Sequence, residues 1–161
     1  MSKANATPTA AASSQTVFNI EKLYVKDISL EIPHAPEIFL ERDPPQIDLQ
    51  IHSQARQMEE GLFEVQVTAT VTAKLATKDN KIMFLIETTQ VGIFRILNLP
   101  PAEMAPVLGV VCPNILYPYL REVISAVSSR AGFATVLLNP INFDAIYQKQ
   151  KLAEANEVVK H

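Results

Sequence analysis

The 161-residue sequence predicts an α+β fold: a four-stranded antiparallel sheet with two helices on one face. Three observations carry this expectation. Four stretches alternate apolar and polar side chains at period two with short connections between them, the pattern of half-buried antiparallel strands. Beyond Leu97 the apolar spacing changes to that of helices. The last strand carries apolar residues on both of its faces, so its sheet needs more cover than two helices supply.

The first strand, Val17 to Ile32, places Phe18, Ile20, Tyr24, Ile28, Leu30 and Ile32 on one face by strict alternation, with Asn19, Glu21, Asp27, Ser29 and Glu31 on the other. Pro33 ends it. A loop of about a dozen residues follows, bracketed by prolines, near the upper end of ordinary connections. It carries the apolar triplet Ile38, Phe39 and Leu40, and it gives room for one crossover in the sheet. Alternation resumes over Gln46 to Gln57, with Ile47, Leu49 and Ile51 on the apolar face.

Gly61 to Leu97 reads as a long hairpin. In its first arm Phe63, Val65, Val67, Ala69, Val71, Ala73 and Leu75 alternate with Glu, Gln, Thr and Lys. The turn Thr77-Lys78-Asp79-Asn80 supplies Asp and Asn, which tolerate left-handed backbone. In the second arm Ile82, Phe84, Ile86 and Phe94 face one way and Met83, Leu85, Val91 and Ile93 the other.

Pro100-Pro101 then blocks strand pairing. Ala102 to Val111 is expected to be a short helical or irregular piece. A helix starts at Pro113, with an apolar stripe through Ile115, Leu116, Tyr119, Leu120, Val123, Ile124 and Val127, a kink at Pro118 and a cap at Gly132. Asn142 is an N-cap for a last helix from Phe143 to about Asn156. The expected organisation is a disordered tail over residues 1–16, one folded domain over 17–150 and a flexible tail over 151–161. Two helices leave part of such a sheet uncovered, and the first strand reads as an edge. Oligomerisation through that edge and through the helix-covered face follows.

Composition narrows the function. The formal charge of −3 with no Lys/Arg cluster argues against nucleic acid as a partner. One cysteine, Cys112, excludes an internal disulfide and fits a reducing compartment. No N-terminal hydrophobic segment is seen, and no apolar run reaches the ~20 residues of a membrane span. A soluble cytoplasmic protein without membrane insertion is expected. Cys112 ahead of a helix start has two readings, an activated thiolate or a buried structural cysteine; its apolar neighbours and the absence of an adjacent His or acid favour the second. His34, His52 and His161 form no metal-ligand spacing, and four scattered glycines make no phosphate loop, so neither metal, cofactor nor catalytic group is expected. Asp27 and Glu31 share a strand face, as do Leu85 and Glu87. They read either as a solvated face or as a docking surface for a basic partner. Phe39, Tyr117 and Tyr119 read either as core or as the lining of a groove for extended apolar peptide.

Four blocks in order decide among these readings: Tyr24-Val25-Lys26-Asp27-Ile28-Ser29, Val91-Gly92-Ile93-Phe94, Cys112-Pro113-Asn114-Ile115-Leu116-Tyr117-Pro118-Tyr119 and Asn139-Pro140-Ile141-Asn142-Phe143-Asp144-Ala145. Together they resemble the SecB family of bacterial protein-export chaperones over roughly Val17 to Gln150. The resemblance implies a homotetramer, a dimer of dimers in which edge pairing makes eight-stranded sheets and helices are sandwiched between them. It implies binding of unfolded preproteins without nucleotide and delivery to the translocation ATPase SecA. The matching SecA-binding positions are Asp27, Glu31, Leu85 and Glu87. Ile86, Thr88 and Gln90 would face inward, toward the helices and the other dimer. Phe39, Leu40, Tyr117 and Tyr119 are the candidates for the client groove. Two departures stand out: no tryptophan occupies the loop before the second strand, where Asp43-Pro44-Pro45 stands, and Lys151 to His161 matches nothing in the family pattern. An oligomeric carrier of small apolar ligands is the alternative function.

Overall fold

A computed structural model describes residues 14–77 and 79–159. The tail expected over residues 1–16 therefore falls mostly outside the described residues; of its last residues, Gln15 and Thr16 are tied to Asn98 by two hydrogen bonds. The chain folds as β1 (Val17–Glu31), a 3-10 turn (Glu37–Leu40), β2 (Gln46–Glu59), β3 (Leu62–Leu75) and β4 (Lys81–Leu97). There follow α1 (Pro101–Pro106), a π-helical turn (Val107–Val111), α2 (Cys112–Arg130) and α3 (Phe143–Val159). All strand pairings are antiparallel in the order β1-β4-β3-β2. The proline-bracketed loop is the crossover: it carries the chain from β1 at one edge to β2 at the other. The β3–β4 turn has the backbone its residues allow, with Asp79 and Asn80 at φ 52° and 56°.

Register sorts the side chains onto two faces, since residues directly opposite each other share a face. On the helix side, every apolar residue of β3 from Phe63 to Leu75 is buried, beside Phe84, Ile86, Phe94 and Ile96 of β4. In β1 the register shifts twice, between Ile20 and Lys22 and between Val25 and Asp27. Each shift is a bulge that adds one residue and exchanges the faces. Tyr24 is thereby on the outward face opposite Val91, not with Phe18 and Ile20 as strict alternation has it, and Leu23 and Val25 take the helix side.

Helix α2 lies on β3 and β4, burying Leu116, Leu120 and Ile124 against them. Gly92 permits this approach: a Cβ there would meet Leu116 Cδ2 at 2.9 Å and the Phe94 ring at 2.6 Å. The helix does not begin at Pro113. It runs unbroken from Pro101 through Pro118 to Arg130, with a π turn upstream of Cys112. In a regular helix the Pro113 ring would press on the Gly109 carbonyl four residues back. The wide turn, in which the Cys112 N–H donates to the Val107 carbonyl five residues back, stands where it relieves that contact. By length and composition this helix would suffice to cross a bilayer, which the sequence split at Val111 concealed; here its buried side is core.

The C-terminal end of α2 is a Schellman cap. Gly132, at φ 90°, donates to the Ser129 carbonyl and Phe133 to that of Ser128. Residues 134–142 then run without regular structure along α2, held by its hydroxyls. Ser125 Oγ donates to the Val136 carbonyl, the Val136 N–H donates to Ser128 Oγ, and Tyr117 donates to the Asn139 carbonyl. Asn142 caps α3 as expected, its Oδ1 accepting from the Ala145 N–H at 3.0 Å. Phe143 is buried edge-on to Tyr117, while residues 148–159 are exposed throughout. The boundary expected at residue 150 thus falls inside one continuous helix.

Helix α3 has a second anchor, Tyr147, whose ring would lie 2.6 Å from a Cβ on Gly109. Gly109→Val is expected to undock α3 and cost about 1–3 kcal/mol through overpacking. Hydrogen exchange should show faster exchange over residues 143–150 with the sheet still protected.

Candidate functional site

Two surfaces stand out. The outward sheet face carries the four docking candidates. Glu31 lies directly opposite Leu85, Ser29 opposite Glu87, and Asp27 opposite Thr89, so all four occupy three successive rows across β1 and β4. Asp27, Glu31 and Glu87 are exposed and Leu85 half-buried. Thr70 Oγ1 donates to Glu87 Oε2 at 3.2 Å, and the Thr68 and Thr89 hydroxyls bond at 2.9 Å. Toward the other end of this face Glu64 is only 5% exposed. Arg56 binds it with two parallel bonds, at 3.0 and 3.2 Å, and Gln66 Nε2 donates to it at 2.6 Å. Those bonds, Arg56 first, hold the Glu64 carboxyl below its usual range against the opposing cost of burial. Tyr24 lies near the same cluster; burial first, then the Glu64 charge, raises its hydroxyl. Alternation alone hid this cluster, because the bulges bring Tyr24 to it.

The second surface runs beside β2, whose far edge pairs with no strand among the described residues. Between that edge and the irregular segment lies an open trough of about 430 Å³, lined by Pro45, Ile47, Leu49 and residues 134–141. No sequence signal marked it, because residues 134–141 have neither helical nor strand periodicity.

The groove candidates do not come together in one place. Phe39 stacks on Phe133 with centroids 5.0 Å apart, and Phe133 in turn on Phe84 at 4.6 Å, pinning the crossover loop to the end of α2 and to the sheet. Phe39 is half exposed and Leu40 is 79% exposed. Tyr119 is exposed on α2, whereas Tyr117 is core, 5% exposed between Phe143 and the Asn139 carbonyl. Ile86, Thr88 and Gln90 face the helix side as expected, but each is buried within this chain. Gln90 Oε1 has no hydrogen-bond partner among the described residues. Cys112 is fully buried and lies mid-helix rather than at a helix start; burial pushes its thiol up to about 12. No group of three His, Cys, Asp or Glu able to hold a metal occurs among the described residues.

A sheet covered on one side, with an unpaired edge along an apolar trough and a patterned charged face behind it, is the architecture of a polypeptide-binding scaffold. The family profile of preprotein translocase subunit SecB matches residues 11–154. Proteins named protein-export protein SecB are 62% identical over 141 residues in Nitrosomonas eutropha (88% of this chain, 87% of the relative) and 53% over 154 residues in Methylobacillus flagellatus (94% and 96%). Among solved structures, the SecB-like chaperone Rv1957 of Mycobacterium tuberculosis, in complex with a ChAD peptide from the HigA1 antitoxin, superposes with a TM-score of 0.63 at 14% identity. That match covers 77% of this chain and 90% of that one, and it speaks for the fold. The chain belongs to the SecB family of protein-export chaperones.

Two outcomes follow. Cys112 should resist thiol reagents at pH 8 in the native protein and react only on unfolding, as read by a chromogenic disulfide. The Glu64 carboxyl, depressed in the folded state, stabilises the fold above its ordinary pKa of about 4.5 and loses that contribution as pH falls through the folded value. Denaturant melts of the native chain and Glu64→Gln should differ above pH 4.5 and converge toward lower pH.

Proposed function

We propose that this chain acts in the cytoplasm as a holdase for unfolded secretory precursors and passes them to SecA. The supporting observation is the trough beside β2. An edge strand offers a row of main-chain donors and acceptors that any extended polypeptide satisfies, and the apolar wall of Ile47, Leu49 and residues 134–141 adds contacts that need no particular sequence. Exposed Phe39 and Leu40 on the crossover loop would extend the apolar surface available to a client. Many weak contacts along one chain sum to useful affinity, and binding only the unfolded form retards its collapse and aggregation by mass action.

The working species is a dimer of dimers. Helix α2 covers β3 and β4, and on β1 the helix-side residues Phe18, Ile20, Val25, Ile28 and Leu30 remain open, Ile28 at 49%. This row adjoins the unpaired edge of β1, so β1 pairing with β1 of a second copy, followed by packing of helical faces, removes both apolar surface and unpaired backbone from water. Delivery uses the outward face, where Asp27, Glu31, Leu85 and Glu87 form the SecA-docking cluster.

Light scattering on chromatography fractions should show a tetramer that co-elutes with a chemically unfolded precursor and ignores its folded form. A tetramer indifferent to both would turn the trough into a site for small apolar ligands. Replacing Asp27 or Glu87 by Lys should weaken SecA binding about three- to tenfold, as expected for loss of a few exposed charge pairs. Precursor binding should be unchanged; unaltered SecA affinity in both variants would remove the docking assignment.

A further inference from the structure

The register resolves the outward face into rows that cross all four strands. Lys22, Ile93, Glu64 and Arg56 form one row, and Tyr24, Val91, Gln66 and Gln54 the next. Then come Asp27, Thr89, Thr68 and His52; Ser29, Glu87, Thr70 and Gln50; and Glu31, Leu85, Thr72 and Asp48. The charges on these rows are ordered. The first holds two cations against one carboxylate that Arg56 already binds, and Lys26, in the bulge after Val25, adds a cation close enough to Glu64 to favour its ionised form. The second row is uncharged. Each later row carries acid and no cation, with two carboxylates in the last. Beyond the first row Arg95 is paired with Glu21 and feels Glu59, and beyond the last row Lys74 adds one cation at the sheet end.

Along β4 the first row lies four residues from the Asp27 row, six from the Glu87 row and eight from the Glu31 row, about 14, 20 and 27 Å at strand rise. Each exceeds the ~8 Å screening length at physiological salt, so Lys22 and the carboxylates of Glu87 and Glu31 act as separate charges, while Lys26, next to Asp27 in the chain, stands at the boundary between them. Lys22 and Arg56 in the first row, Lys26 in the bulge, and Asp27, Glu31 and Glu87 in the acidic rows are exposed. A partner that is simply basic gains at the acidic end and is repelled at the other.

We propose that the outward face is an oriented docking surface. It takes a polypeptide segment whose cations and carboxylates are segregated, laid along the strands with its cations over Glu87 and Glu31 and its carboxylates over Lys22 and Lys26. The inference rests on the docking reading above and gives it a direction. The uncharged second row, with half-buried Tyr24 and exposed Gln54, takes the neutral middle of the segment.

The test compares two double variants of the full-length protein for SecA affinity, Lys22→Glu with Lys26→Glu and Asp27→Lys with Glu87→Lys, by fluorescence titration at low and physiological salt. Oriented docking requires both to weaken binding, each about three- to tenfold. If the acidic-end variant weakens binding while the basic-end variant binds as well or more tightly, the orientation is overturned and the docking reading stands. If reversal at the acidic end has no effect, the docking reading falls and the inference with it. Should the reversed lysines disturb folding, Lys22→Gln with Lys26→Gln gives a smaller weakening on the same scale, and unchanged or tighter binding again overturns the orientation. A peptide of three lysines and three glutamates separated by about eight neutral residues, long enough to span the face, should bind more tightly than the same residues in alternation; equal binding counts against orientation.

Discussion

The structure depends on how closely one helix can approach two central strands. Leu116 of α2 rests over Gly92 of β4 at a distance at which any side chain on that residue would force Leu116 or the Phe94 ring to shift. From that contact follows a core of β3 and β4 residues under a single helical rod. The same closeness confines the rod: lying on β3 and β4, it leaves the helix side of β1 open and the outer edge of β2 unpaired. The two features read as interaction surfaces are what remains when one helix covers half of a sheet.

The strands were legible because period two survives single-sequence inspection wherever one face is buried. Strand β1 shows the limit. Its two bulges each exchange the faces, and together they restore parity, so Phe18 and Ile20 at one end and Ile28 and Leu30 at the other were placed correctly while Tyr24 between them was not. Bulges leave no mark in hydropathy when the inserted residue is a polar one such as Lys26. The acidic cluster was readable for the same reason of parity: Asp27, Glu31, Leu85 and Glu87 lie beyond the second bulge, where simple alternation again holds. The joining of α1 to α2 was hidden by Pro113, which looks like a helix start. A π turn lets the chain carry that proline inside a helix, and nothing in composition announces it.

The irregular segment was illegible for a different reason. Its backbone is satisfied by side chains, Ser125, Ser128 and Tyr117 of α2, rather than by a neighbouring strand or by its own helix. Those residues read as ordinary members of a helix, Tyr117 as a candidate for an open groove. In the fold Tyr117 is a strut: its ring packs on Phe143 and its hydroxyl holds the segment that forms one wall of the trough. A residue with the chemistry of a groove lining thus bears on the trough from behind, through the backbone it positions.

A one-layer sheet also separates two kinds of recognition that would conflict on one surface. Binding any unfolded chain calls for apolar contact and main-chain bonding, both blind to sequence, and on the proposed reading these lie along the β2 edge and the helix side. Recognition of one partner calls for a charge pattern that rejects others, and charges placed among apolar contacts would weaken client binding through the cost of desolvating them. On the far side of the strands the ordered rows from Lys22 to Glu31 meet water, where exposed charge costs little and discriminates by sign and spacing. Because alternate residues of the same strands point to opposite faces, a client in the trough, as proposed, would leave the outward rows free. Such a division would let a precursor remain bound while the complex finds its partner, a requirement for any transfer that avoids releasing an unfolded chain into solution.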